Sequence, residues 1–159
     1  MLRVLLVDDE PFIIQGLKIL INWEQEGFEI AGTAANGQEA YEFLQKEKVD
    51  LIIADIKMPV MTGLELQEII RKENLSNAYF VILSGYADFE YARRALQNEC
   101  TDYLLKPVDR EILLNLLSRV HAMRDEENRV QQNNQKMERA YFARHLISLI
   151  KGKYDASNL

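Results

Sequence analysis

The chain predicts a doubly wound α/β fold: a five-stranded parallel sheet in the order 2-1-3-4-5, helices on both faces, and a helical extension at the C-terminal end. Three observations carry this. Five short apolar runs alternate with amphipathic stretches of helical period, which implies parallel pairing through right-handed crossovers. Most of the runs are apolar without a polar/apolar alternation, as in strands covered on both faces. Polar residues able to do chemistry close four of them, at the carboxyl edge where open α/β sheets build their sites.

Leu2–Val7 is apolar apart from Arg3 and reads as the first strand, ending at Asp8 and Asp9. Pro11 opens a helix, since proline suits the first turn, and Ile13, Ile14, Leu17 and Leu20/Ile21 recur at helical spacing up to a break at Gly27. Glu29–Ala34 is a more polar strand, suited to a sheet edge. Asn36-Gly37 marks a turn, after which Ala40, Tyr41, Phe43 and Leu44 sit on a short amphipathic helix. Leu51–Ala54 is a buried strand ending at Asp55. A loop from Met58 to Gly63 follows, then a helix over Leu64–Arg71 with Leu66, Ile69 and Ile70 inward. Tyr79–Leu83 is a strand closing at Ser84-Gly85. Asp88 is placed to cap a helix carrying Phe89, Ala92, Ala95 and Leu96. Asp102–Leu105 is the fifth strand, ending at Lys106-Pro107. Asp109 caps a last helix bearing Ile112, Leu113, Leu116, Leu117 and Val120.

Beyond residue 122 the pattern changes. Leu116, Met123, Val130 and Met137 keep a seven-residue spacing, while the companion seam of Leu113, Val120, Glu127, Asn134 and Tyr141 is polar in its middle. A weak coiled coil reads this way, and so does a single solvated helix. Phe142, Leu146, Leu149 and Ile150 form a further helical stripe, and 151–159 reads as a frayed end. The expected division is therefore a domain over 1–122 and a helical linker over 123–159.

At 159 residues the chain holds one ordinary domain and an extension. Its net charge of −6 and the lack of a long basic run argue against nucleic-acid binding by this chain alone. A single cysteine, Cys100, excludes an internal disulfide and a cysteine-based zinc site. No stretch approaches the roughly 18–20 apolar residues of a membrane span. The start does not fit a signal peptide, so the expected location is the cytoplasm.

In the order 2-1-3-4-5 the first and third strands are neighbours, so Asp8, Asp9 and Asp55 converge. Three carboxylates held together repel one another unless a cation lies among them, and hard oxygen ligands suit Mg²⁺. Ser84 and Lys106 close the next two strands at the same edge.

The motifs Val7-Asp8-Asp9-Glu10, Asp55-Ile56-Lys57-Met58-Pro59 with Gly63 following, Leu83-Ser84-Gly85-Tyr86 and Tyr103-Leu104-Leu105-Lys106-Pro107 together resemble the receiver domain of bacterial two-component response regulators, a flavodoxin-like fold. The resemblance covers about residues 1–122. It implies that Asp55 accepts a phosphoryl group from a phosphohistidine on a sensor histidine kinase. It further implies that Asp9 and Asp55 ligate Mg²⁺, that Asp8 assists through water, and that the Lys57 backbone carbonyl completes the protein ligands. Lys106 is then expected to neutralise the phosphoryl oxygens and Ser84 to donate a hydrogen bond to one. Tyr103 is either a simple core or surface aromatic or the partner of Ser84 in a conformational switch. The Lys106-Pro107 bond is expected to be cis. Such a protein is a phospho-acceptor rather than an enzyme, with only self-phosphorylation and self-dephosphorylation chemistry.

Ser84–Ala92 and Trp23–Gly32 resemble receivers of regulators with an AraC-type DNA-binding domain, which implies a transcriptional output and DNA contact through a part outside this chain. Homodimerisation through a receiver face or the linker helix would accompany it. Alternatives are a stand-alone regulator acting by protein contact and an Mg²⁺-dependent aspartyl phosphohydrolase. The latter usually places a second aspartate two residues after its nucleophile, where Lys57 stands. A flavin or nucleotide domain of this topology would meet repulsion from Asp8-Asp9-Glu10.

Overall fold

The computed structural model describes residues 1–85, 90, 93, 94, 97 and 100–157, with side chains as far as residue 147. Along the chain run β1 (Leu2–Val7), α1 (Pro11–Leu20), β2 (Phe28–Ala34), α2 (Gly37–Lys46), β3 (Leu51–Asp55), α3 (Gly63–Glu73), β4 (Tyr79–Ser84), β5 (Asp102–Leu105) and a last helix, α4 (Arg110–Ser157). The sheet has the expected order β2-β1-β3-β4-β5, and every pair is parallel. The helix expected from Asp88, with Phe89, Ala92, Ala95 and Leu96, lies outside the described residues. Of that stretch, Glu90, Arg93, Arg94 and Gln97 are described and are helical.

The central strands bury both faces because successive side chains point to opposite sides. Val4, Leu6, Ile53, Val81 and Leu83 meet Ile14 and Leu17 of α1 and Leu113, Leu116, Leu117 and Val120 of α4. Leu5, Val7, Ile52, Ala54 and Ile82 meet Ala40 and Leu44 of α2 and Leu64, Leu66 and Ile70 of α3. Ile112, on the same helix, is exposed. It immediately precedes Leu113, and adjacent positions on a helix diverge by about 100°.

Three local expectations are corrected. Helix α1 stops at Leu20, well before Gly27, because the Trp23 indole N–H folds back to the Leu17 carbonyl at 3.0 Å and satisfies an end-of-helix acceptor. Gly27 has its own task, a left-handed φ of 84° packed against His121. Asn36-Gly37 is not a free turn but the start of α2. The Asn36 side chain accepts from Glu39 N at 2.9 Å, and the Glu39 carboxylate accepts from Ala35 N at 2.7 Å, a reciprocal cap. The frayed end expected over 151–159 is helical as far as Ser157.

The chain divides into two compact units, Met1–His121 and Ala122–Leu159. Within the second, Met123, Val130 and Met137 are exposed, as are Tyr141 and Phe142. Ion pairs one turn apart, Arg124–Glu127 at 3.1 Å and Arg129–Glu126 at 2.6 Å, decorate the same stretch. Among the described residues no helix is long and apolar enough to cross a membrane.

Candidate functional site

Parallel register delivers the polar strand ends to one edge. Val7 pairs with Ala54, Asp55 with Leu83, and Ser84 with Leu105. The residues that follow or close these positions, Asp8, Asp9, Asp55, Ser84 and Lys106, therefore share the carboxyl edge of four adjacent strands. Asp55 and Ser84 are the last residues of β3 and β4 rather than the first residues beyond them.

Asp8, Asp9 and Asp55 each bring one carboxylate oxygen within 4.8 Å of the others. Asp8 and Asp55 are buried and Asp9 is exposed. The Lys106 ammonium reaches into the cluster, 2.9 Å from Asp8 Oδ2 and 3.3 Å from Asp55 Oδ1. Asp8 Oδ1 accepts from the Glu10 amide at 2.9 Å, which fixes the carboxylate plane, while the buried Oδ2 accepts no well-directed hydrogen bond despite its nearness to Lys106.

These contacts set the local electrostatics. Burial, and then the negative charge of Asp8, push the Asp55 carboxyl up from 3.8 to about 6, with Lys106 opposing the rise. Burial pulls the Lys106 ammonium down, but its contact with Asp8 and the charges of Asp55 and Asp8 outweigh that and raise it. Among the described residues, the three carboxylates of the cluster thus meet one ammonium, that of Lys106. Three carboxylates so placed, two of them buried and one with an oxygen lacking a directed donor, suit a hard divalent cation.

The remaining expected residues are arranged around this cluster. Ser84 is fully buried, and its carbonyl accepts from Lys106 N at 2.7 Å, tying β4 to the residue that carries the ammonium. Tyr103 is half-buried and packs against the core on the α2/α3 face. The Lys57 side chain is exposed, and the Lys106-Pro107 peptide is cis.

Two further residues shape the site. Gly63 lies so close beneath Asp55 that a Cβ there would collide with the Asp55 carbonyl. Thr62 caps α3, its hydroxyl accepting from Glu65 N at 3.1 Å. The spacing Thr62-x-x-Glu65 is a readable capping signal, whereas the close approach of Gly63 leaves no mark in the sequence beyond the glycine itself.

A sequence model of the response regulator receiver domain matches residues 4–118. The chain is 38% identical over 122 residues to the uncharacterized transcriptional regulatory protein YesN of Bacillus subtilis, covering 77% of this chain and 33% of that protein. It is 38% identical over 131 residues to the transcriptional regulatory protein HptR of Staphylococcus aureus, covering 80% and 51%. The chain thus spans between a third and about half of these curated relatives. Among solved structures, the REC domain of AraT, a response regulator from Geobacillus stearothermophilus, superposes with a TM-score of 0.74 at 33% identity, covering 80% of this chain and 98% of that one. A CheX-CheY-BeF₃-Mg²⁺ complex from Borrelia burgdorferi gives a TM-score of 0.66 at 28% identity, covering 76% and 89%.

Proposed function

The chain belongs to the response regulator receiver family, and from that premise we propose that Asp55 is the residue phosphorylated by a sensor histidine kinase, in a pocket that works with Mg²⁺. The carrying observation is the convergence of Asp8, Asp9 and Asp55 around the Lys106 ammonium. In the transfer, an Asp55 carboxylate oxygen forms a bond to phosphorus as the bond to the donor histidine nitrogen breaks. Asp55 is held at the end of a fully buried strand, so its approach is fixed before the donor arrives. Lys106, already 3.3 Å from Asp55, is placed to follow the phosphoryl oxygens. Ser84 supplies a hydroxyl from the neighbouring strand, and Tyr103 is the aromatic that responds when Ser84 is drawn toward the phosphoryl group. Asp8, Asp9, Asp55 and the Lys57 carbonyl would hold Mg²⁺, which supplies charge neutralisation when bound. The Mg²⁺ named with the Borrelia complex supports this reading.

The output is transcriptional, through an AraC-type DNA-binding domain. Support comes from the names and greater length of the relatives and from the resemblance in Ser84–Ala92 and Trp23–Gly32. The linker over 123–159 pairs with a second copy through its exposed Met123, Val130 and Met137 seam.

Acetyl phosphate with Mg²⁺ should add one phosphoryl group to the intact chain, read by mass spectrometry, and Asp55→Ala should abolish it. Labelling that persists in the variant assigns the acceptor elsewhere. Sedimentation should give the mass of a dimer, and a monomer at all concentrations removes the helix pairing.

A further inference from the structure

We infer that Gly37, the first residue of α2, is a positioning residue for the acidic pocket, holding the β3–α3 loop in the strained turn that sets the Lys57 carbonyl. The inference deepens the proposed function and rests on its metal reading.

The loop from Ile56 to Thr62 is tied at both roots. Ile56 N donates to the Leu83 carbonyl at 3.0 Å, and Gly63 N donates back to the Ile56 carbonyl at 3.1 Å. Between these roots the backbone is under strain. Met61 N donates to the Pro59 carbonyl at 2.8 Å across Val60, whose φ is 71°. A three-residue turn with positive φ is rare, and a β-branched residue at its centre is a steric outlier. Such a conformation persists only where its surroundings over-determine it. Val60 does not supply the reason through packing, since its side chain is 80% exposed.

The constraint comes from α2. Gly37 N donates to the Met61 carbonyl at 3.1 Å, immediately beyond the strained residue. The first-turn amides of a helix have no partner within it, so this donor is available without loss to α2. The Asn36–Glu39 cap fixes where the helix begins and hence where the donor points. Only glycine allows the approach. A Cβ at residue 37 would stand 2.7 Å from the Met61 carbonyl oxygen, a backbone atom that cannot rotate aside. Lys57 lies within the segment clamped at Ile56, Met61 and Gly63. Helix α2, which contributes no carboxylate to the pocket, therefore reaches the metal ligands through one hydrogen bond.

The test is a calorimetric Mg²⁺ titration of the full chain in three forms. Gly37→Ala should weaken Mg²⁺ binding by about 10- to 100-fold, the range for residues that orient metal ligands from behind. Leu44→Ala, which removes buried side chain about two turns further along the same helix, should lower the unfolding midpoint and leave Mg²⁺ affinity unchanged. In the unmodified chain, Mg²⁺ should slow hydrogen exchange at the Gly37 amide but not at Glu39, because coupling between loop and metal is reciprocal. That measurement decides the matter if Gly37→Ala does not fold. Wild-type affinity in Gly37→Ala, or Gly37 exchange indifferent to Mg²⁺, overturns the inference and leaves the acceptor pocket standing. Absence of any Mg²⁺ uptake by the unmodified chain removes the metal reading itself and this inference with it.

Discussion

Asp55→Asn should stabilise the magnesium-free protein at neutral pH, although it deletes the proposed acceptor. The magnitude follows from the pocket. Burial and the neighbouring Asp8 raise the Asp55 carboxyl from 3.8 to about 6, so the folded chain binds this proton more tightly than the unfolded one. A group raised in this way adds stability in full below its unfolded value, and that stability is lost as pH rises through the folded value. At about 1.36 kcal/mol for each tenfold change in proton affinity, the rise corresponds to about 3 kcal/mol lost between roughly pH 4 and pH 6. The asparagine keeps the shape of the protonated acid and never ionises. Urea unfolding in EDTA should show wild type and Asp55→Asn converging near pH 4, with the variant ahead by up to about 3 kcal/mol at pH 7. Adding Mg²⁺ at pH 7 should narrow the gap, because a ligand that binds only the folded state stabilises it by mass action. Equal stability at pH 7, or a gap that does not change with pH, would refute the claim that crowded burial strains this carboxylate.

Three other substitutions probe the same architecture. Lys106→Met removes the ammonium 2.9 Å from Asp8 and 3.3 Å from Asp55, and should cost about 3–5 kcal/mol at pH 7 without metal, less at pH 4, by urea unfolding. A loss independent of pH would mean that packing, not charge, is what Lys106 contributes. Gly63→Ala drives a methyl group into the Asp55 carbonyl and should destabilise by about 1–3 kcal/mol while weakening Mg²⁺ binding in a calorimetric titration. Unaltered affinity would show that the Asp55 backbone does not transmit the clash. Trp23→Phe leaves the Leu17 carbonyl without its buried donor and should cost about 1–3 kcal/mol by chemical denaturation. A neutral result would assign the end of α1 to Ile21 and its extended backbone instead.

The fold and the pocket were legible in the sequence to different depths. Apolar runs closed by Asp8-Asp9, Asp55, Ser84 and Lys106 are enough to predict both the strand order and a shared edge, because parallel crossovers leave few arrangements and one of them brings the carboxylates together. Local signals are less direct. Asn36-Gly37 reads as a turn because asparagine and glycine favour turns, yet the Glu39 side chain three residues on converts the same pair into a helix start. Ile112 shares its helix with four core residues, and only the packing direction of Leu113, Leu116, Leu117 and Val120 turns it outward.

By itself the sequence determined which chemical groups stand at the ends of which strands, since that information is local and follows from periodicity and strand length. Tertiary structure alone decided the distances. These include the seat of Lys106 between Asp8 and Asp55, the near-contact of Gly63 with the Asp55 carbonyl, and the hydrogen bond from Gly37 across to Met61. Each joins residues that are remote in sequence or held by a non-repetitive backbone, where no period exists to be read. The energy of such contacts depends on separations of a few tenths of an ångström, which only the closed packing of sheet, loop and helix can set.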